Sequence, residues 1–345
     1  MTVLEATASE VQEFIALRRE LHRFPELAFE EHRTADLVAS KLAAWGYQVH
    51  RGLGGTGVVG TLQRGTCGTS GKRLGLRADM DALPITETSG RPWASLRAGR
   101  MHACGHDGHT TMLLAAAWHL SQHRDFAGTV NFIFQPAEEM GKAGALKMVQ
   151  EGLFERFPCD AVFGMHNWPG LGVGKFALSS GPVMASSNEF TITIHGKGSH
   201  AALPHNGIDP VPIACQMVQA FQTIITRNKK PVDAGVISVT TIHAGEATNV
   251  VPDQCQMSGT VRTFSIDVLD MIEIRMREVA QHICSAFGAT CEFDFHRNYP
   301  PTINHAAETD FAKQVMSTIV GEANIVPQEP TMGAEDFAYM LQAKP

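Results

Sequence analysis

The sequence predicts an α/β domain with a mostly parallel sheet, interrupted by a smaller α+β insertion, and three observations point to it. Apolar runs of strand length alternate with segments of helical period as far as Met165. Between residues 185 and 295 the order changes to strand–helix–strand–strand–helix–strand, which is the ferredoxin-like order. After Tyr299-Pro300-Pro301 a further helical stretch resumes the first pattern. A chain of 345 residues has room for two domains. The expected division is residues 1–184 for the first segment of the larger domain, 185–295 for the insertion, and 296–345 for the second segment of the larger domain.

Taken in order, Val11, Phe14, Ile15, Arg18 and Leu21 fall at helical spacing, Pro25 interrupts, and Thr34 to Leu42 resume the period. The turn-rich Gly52–Gly57 leads into the apolar run Val58–Leu62. Strands are expected at Leu74–Ala78, Thr129–Phe134 and Ala161–Met165, with helices at His109–Gln122 and Ala143–Glu151 between them. Val173–Leu178 and Phe190–His195 read as strands. They are followed by a helix at Pro210–Thr226, strands at Val236–Ile242 and Gln254–Arg262, a helix at Asp267–Ala286, and a strand at Thr290–Phe295. Ala306–Val320 reads as the last helix. No internal repeat suggests a solenoid.

Composition excludes several classes. Lys+Arg 28 against Asp+Glu 35 gives a net charge of −7, and with no basic or aromatic-interleaved tract this argues against a nucleic-acid binder. A hydrophobic fraction of 44% is too high for a disordered chain. The first residues mix acids and bases with no basic region ahead of an apolar core, so no secretory signal is read. The apolar stretch Met112–Trp118 is too short to span a bilayer. Seven scattered cysteines, Cys67 among them, fit a reducing compartment, and the cytoplasm is the expected location. No GxGxxG follows the first strand, which argues against a dehydrogenase, and GKGSH lacks the full spacing of a nucleotide loop.

Polar clusters follow directly on the expected strands. LGLRADMDALP places Asp79 and Asp81 at one strand end, NFIFQPAEEMGKAG places Glu138 and Glu139 at a second, and AVFGMHNWP places His166 at a third. Carboxyl ends of strands converge on the ligand crevice of an α/β sheet, so these side chains can meet. A fourth cluster, HACGHDGHT, offers His102, Cys104, His106, Asp107 and His109 just before a helix. A thiolate, two imidazoles and a carboxylate, from Cys104, His106, His166 and Glu139, suit zinc, manganese, cobalt or nickel better than magnesium or calcium. Adjacent glutamates invite separate tasks, one holding metal and the other moving a proton from water to a leaving amine. Each residue alone has a plainer reading: Cys104 a buried apolar group, His166 a loop residue bonded to backbone, the glutamates solvated surface. His102 and His109 read as groups that orient their neighbours or cap the helix. Four such clusters at strand ends are hard to explain as structure alone, and metal-dependent hydrolysis is the expectation.

LRADMDALP, MHACGHDGHT, FIFQPAEE, FGMHNWP, GKGSHAALPH and MGAEDF together resemble the M20 metallopeptidase family, in its aminoacylase and hippurate hydrolase branch. The resemblance runs in order from about residue 11 to the end. It implies a two-domain enzyme with two divalent metal ions per subunit that cleaves the amide of N-acyl amino acids to a carboxylate and a free amino acid. By similarity Cys104, His106, Glu139 and His166 hold metal, Glu138 is general base and acid, and Asp81 supports a group beside the metal. Asp107 and His109 belong to the signature without needing to touch metal. The insertion resembles the family's lid and dimerisation domain, so a homodimer through residues 185–295 is expected. His200 there is the group that reaches the partner subunit's site and polarises the scissile carbonyl. Asn249 and Arg262 match groups that receive the substrate carboxylate; on sequence alone they read equally as a turn former and a strand-end surface residue.

One departure bears on activity. Members of this branch continue for a few dozen residues past MGAEDF and supply a further metal-binding histidine, whereas here Ala338 to Pro345 follow Phe337. His305, in YPPTINH, falls where the family pattern binds no metal. The resemblance therefore implies an impaired second metal site in a C-terminally truncated chain. Two rival expectations follow: a dipeptidase or carboxypeptidase with the same centre, and a truncated, inactive metal-binding form.

Overall fold

A computed structural model describes residues 8–65, 71–123 and 126–345, which leaves Cys67 outside the described residues. Helix α1 (Ala8–Arg23) ends where Phe24 precedes Pro25, because the proline ring pushes the residue before it out of helical geometry. Helix α2 (His32–Ala44) turns Thr34, Ala35, Val38, Ala39 and Leu42 inward. Strands β1 (Gln48–Leu53), β2 (Gly57–Arg64) and β3 (Lys72–Asp79) follow, then α3 (His106–Gln122), β4 (Gly128–Gln135), α4 (Gly144–Gln150), α5 (Leu153–Arg156) and β5 (Ala161–Gly164).

The chain divides into two units. The larger comprises Met1–Gly181, Ile303–Gln328 and Asp336–Pro345, and the smaller Pro182–Thr302 with Glu329–Glu335. In the larger unit the five strands lie in the order β1-β2-β4-β3-β5. β3 pairs in parallel with β4 and β5, whereas β2 pairs antiparallel with both β1 and β4. The sheet is therefore mixed, which corrects the expectation of a mostly parallel one. The physical reason lies in the connections: a tight turn through Gly54 and Gly55 joins β1 to β2, and such a link reverses direction, while parallel pairing needs a longer crossover.

Side chains on the central strands alternate between two buried faces. Val58, Leu62, Phe132 and Phe134 join Leu17, Val38, Leu42 and Leu114 on one side, while Val59 and Ile133 join Met148, Leu153, Val162 and Met340 on the other. Burial of both faces makes these strands read as near-continuous apolar runs.

The expected strand at Val173–Leu178 shrinks to β6 (Phe176–Ala177). Gly170 and Gly174 adopt left-handed φ of 89° and 83°, and Val173 is fully exposed, so nothing holds an extended pair there. β7 (Gly181–Met184) lies where the chain leaves the larger unit.

The smaller unit contains β8 (Ser187–His195), β9 (Ser199–His200), α6 (Pro210–Thr223), β10 (Gly235–Ala244), β11 (Val250–Val251), β12 (Gln254–Thr263), α7 (Ile266–Ala286) and β13 (Thr290–Tyr299). Asp209 caps α6 by accepting a hydrogen bond from the Val211 amide, and Pro210 fills the first helical position. The helix stops short of Thr226 because its last residues, Ile224–Asn228, widen into a π turn. Four strands form an antiparallel sheet in the order β10-β12-β8-β13. Phe190, Ile192, Ile194 and Met257 of this sheet bury against Met217 and Phe221 of α6 and Ile272 and Met276 of α7. The chain then passes through β14 (Thr302–Asn304), α8 (Ala306–Val320) and β15 (Ile325–Val326), which pairs in parallel with β6, and ends in α9 (Ala338–Ala343). Among the described residues no helix is long and apolar enough to cross a membrane.

Phe132 is fully buried and meets the Tyr47 ring edge-on at 5.3 Å. Phe132→Ala should lower unfolding free energy by about 3–5 kcal/mol, the usual cost of emptying such a site. A denaturant titration checks this, and a loss below about 1 kcal/mol would mean that the site collapses freely.

Candidate metal centre

Three adjacent strands, β4, β3 and β5, run in parallel and deliver their carboxyl ends to one side of the sheet. Asp79 and Asp81 come from the end of β3, Glu138 and Glu139 from the loop after β4, and His166 from the loop after β5. The start of α3 adds Cys104 and His106. Gly105 between them has φ 88°, and a Cβ there would sit 2.5 Å from the Asn167 side chain, so only glycine permits this approach.

Ligand-type atoms of Cys104, His106 and His166 lie within 4.8 Å of one another, and so do those of His106, Glu138 and Glu139. Cys104 Sγ is 3.4 Å from His166 Nε2, and His106 Nε2 is 3.9 Å from Glu139 Oε1. The two groups share His106, an arrangement consistent with two divalent ions. His106 is the strongest test of whether a metal fits. Its ring is 1% exposed, yet among the described residues neither nitrogen has a hydrogen-bond partner, which is costly unless something else satisfies them. On His166, Nδ1 lies 2.6 Å from the Asn167 carbonyl; donating there leaves the Nε2 lone pair facing Cys104. Thiolate, imidazole and carboxylate donors at these distances fit a transition-type divalent ion.

Electrostatics agree with that fit. Burial opposes a charge on His106, but the Asp79 and Asp81 carboxylates, together with Cys104, outweigh it and hold the imidazole well above its ordinary range. Burial pushes the Glu139 carboxyl up, partly countered by His106. A pocket that favours a proton on His106 favours a divalent cation for the same reason, and the two compete because a ligating imidazole is neutral.

Asp79 and His109 complete another close group with His106, but their atoms are already engaged. His109 Nδ1 donates to Asp79 Oδ1 at 2.7 Å and His109 Nε2 accepts from the Asn167 amide at 3.0 Å. The other Asp79 oxygen takes Arg77, whose guanidinium also reaches Asp336 and the Gln135 amide oxygen. His109 therefore links the β3 end to the His166 loop. Asp107 faces elsewhere: its Oδ2 receives Arg18 and His22, and His22 reaches on to Glu87. The Asp107 hydrogen bond, against the opposing effect of burial, raises the His22 imidazole. His102 is buried without a partner for either nitrogen, and burial pushes it down to about 4, so it stays neutral.

Asp81 has a backbone task. Its two oxygens accept the amides of Glu138 at 3.1 Å and Glu139 at 3.0 Å. The preceding amide, Ala137, ends on Glu31 Oε1 at 2.8 Å. Glu31 was not legible as a site residue, because nothing in Glu30-Glu31 distinguishes the two: Glu30 lies at the surface with Arg100, while Glu31 is fully buried. Arg77 and Asp336 were equally silent as partners.

In the smaller unit, β9 pairs with β11, so His200 lies opposite Val250, and the Ala201 amide donates to the Asn249 carbonyl at 2.9 Å. His200 and Asn249 thus line one open cavity of about 580 Å³ with Ser199 and Asp253. His200 Nδ1 accepts from the Ala202 amide at 3.1 Å, which puts the proton of the neutral ring on Nε2 as an available donor. Arg262 does not join them. It sits near the end of β12, eight residues beyond Gln254, or roughly 26 Å along an extended strand. Burial lowers the Arg262 guanidinium, against the attraction of Glu189.

Residues 75–345 match the model of peptidase family M20/M25/M40. The chain belongs to this family. It is 40% identical to thermostable carboxypeptidase 1 of Saccharolobus solfataricus, covering 100% of this chain and 88% of that protein. It is also 40% identical to hippurate hydrolase of Campylobacter jejuni, covering 96% and 86%. The crystal structure of the Bacillus subtilis YXEP protein, a dinuclear metal binding peptidase from the M20 family, superposes with a TM-score of 0.83 at 36% identity, covering 97% of this chain and 86% of that one. Family membership and the clustered ligands support metal-dependent hydrolysis of amino-acid derivatives.

Glu31 provides a pH test of this M20 site. Burial lifts its carboxyl to about 7, despite the Thr56 hydroxyl that opposes the shift. A folded pKa above the unfolded value means that stability is full below about 4.5 and is lost as pH rises through 7. Glu31→Gln removes this titration. Relative to the variant, the parent should lose about 2–3 kcal/mol between pH 5 and pH 8. Parallel stability profiles in denaturant titrations would contradict the assignment.

Proposed function

We propose that this chain is a metal-dependent amidohydrolase of the hippurate hydrolase and aminoacylase branch, cleaving N-acyl amino acids to a carboxylate and a free amino acid. The observation that carries the reading is the division between two adjacent glutamates. Glu138 and Glu139 both gather at His106, their amides are fixed by one carboxylate, and Glu138 is the more enclosed of the two side chains. In this reading Cys104, His106, Glu139 and His166 hold two divalent ions (manganese, zinc, cobalt or nickel). When bound, these ions supply Lewis acidity that acidifies water and polarises a carbonyl oxygen.

The protein's own groups do the rest. Glu138 takes the proton of the attacking water as the new C–O bond forms, and returns it to the amide nitrogen as the C–N bond breaks. His200 Nε2–H donates to the developing oxyanion. Arg262 and Asn249 receive the substrate carboxylate, the former through a planar fork of donors. Asp81 supports the reaction by aiming the Glu138 backbone.

The smaller unit belongs to this proposal as a lid and dimerisation domain of ferredoxin-like topology spanning residues 185–295, between catalytic segments 1–184 and 296–345. Its strand order β10-β12-β8-β13 supports that reading. A homodimer in which His200 and Asn249 serve the partner subunit is supported by their distance along the strands from Arg262. Cys104 ligates only when reduced, which favours the cytoplasm. A second reading, release of C-terminal amino acids from peptides, draws on the equal identity to the S. solfataricus carboxypeptidase.

Glu138→Gln should leave metal content unchanged and lower turnover of hippurate or N-acetyl amino acids by about 10²–10⁴-fold, the usual worth of a positioned acid–base. Elemental analysis beside an amino-acid release assay checks it, and retained turnover would remove Glu138 from the role. Peptides assayed in parallel decide between the two readings, since faster release from peptides than from N-acyl amino acids favours the carboxypeptidase.

A further inference from the structure

The loop from Pro136 to Gly144 carries both glutamates in a backbone conformation that its sequence resists. Ala137, Met140 and Ala143 have φ of 53°, 62° and 53°, in the left-handed region that side chains disfavour. Such residues persist only where their surroundings over-determine them. Ala137 is fully buried, and its amide donates to Glu31 Oε1 at 2.8 Å. The other Glu31 oxygen takes the Thr56 hydroxyl, in the turn between β1 and β2. Glu31 precedes α2, yet its carboxyl makes no capping bond to that helix. It turns inward instead and joins the start of α2, the β1–β2 turn and the Glu138 loop.

We propose that Glu31 is a positioning residue for Glu138, acting by holding the Ala137 amide so that the left-handed turn keeps the Glu138 carboxyl aimed into the centre. This rests on the reading of Glu138 as general base. The bond needs an acceptor and no charge. The burial that lifts the Glu31 carboxyl favours its neutral form, so glutamine, with an acceptor oxygen for Ala137 and an amide for Thr56, can replace it. Alanine or leucine cannot. An ordinary core role would make stability alone follow the substitution; a positioning role makes kcat follow the acceptor.

The test compares the parent with Glu31→Ala, Glu31→Gln and Thr56→Val as manganese-loaded protein acting on an N-acetyl amino acid. In Glu31→Ala, kcat should fall about 10–100-fold with KM and metal content little changed, the scale expected for an ångström-level misplacement. Glu31→Gln should stay within about threefold of the parent, and Thr56→Val should fall between them. Amide hydrogen exchange of metal-free protein supplies a readout independent of turnover. Peptides covering Ala137–Glu139 should exchange faster in Glu31→Ala and at the parental rate in Glu31→Gln. Unchanged exchange and kcat in a folded Glu31→Ala would overturn the proposal, as would a Glu31→Gln as impaired as Glu31→Ala. If Glu138→Gln keeps its turnover, the general-base reading fails while the exchange comparison still judges the clamp.

Discussion

Buried negative charge is the constraint on which the larger unit depends. Asp79, Asp81, Glu138 and Asp336 are all nearly or fully buried within the strand-end region, and Glu31 lies beside them. Carboxylates removed from water persist only when paired or richly hydrogen-bonded. Arg77 supplies one fixed positive charge, bridging Asp79 and Asp336. Backbone amides satisfy Asp81 and one oxygen each of Glu31 and Asp336. What is left over gathers around His106, whose ring nitrogens have no hydrogen-bond partner among the described residues. A site assembled in this way suits a cation, and a thiol and imidazoles stand at its rim.

The same bonds that compensate the charge also fix the geometry. Asp81 cannot accept two consecutive amides without setting the direction of Glu138 and Glu139. Asp336 reaches from the chain's last segment to the Ala145 amide at 2.9 Å and so braces the far end of the same loop. Gly144 sits between these braces because a Cβ there would meet the Pro136 carbonyl at 1.8 Å. His109 plays the corresponding part for the His166 loop. Enzyme sites need such support because small errors in placement are expensive in rate.

The smaller unit shows a different economy. Its apolar core is closed by two helices on a four-stranded sheet, and His200 and Asn249 lie on short exposed segments beyond that core. His200 and Asn249 meet through a pair of two-residue strands, β9 and β11. The hydrogen bond from Ala202 that fixes the His200 tautomer is a local one, two residues away in sequence.

Much of this was legible in the sequence. Apolar periodicity marked the helices and the buried central strands, because burial on one face or both leaves a repeat of 3.6 or 2. The clustering of polar residues after β3, β4 and β5 marked where the candidate ligand groups come together. Direction was not legible: the Val58–Leu62 run within β2 looks like the parallel strands, while β1, mostly exposed, was not read as a strand at all, and the short turn between the two reverses the chain. Nor did the sequence separate Glu31 from Glu30. It offered the candidate donors that the structure gathers, since ligand chemistry belongs to residue types. Only the tertiary structure decided that His109 and Asp79 spend their atoms on each other, that Asp107 turns to His22, and that Glu31 holds the Ala137 amide. Such partners come together only when distant segments pack.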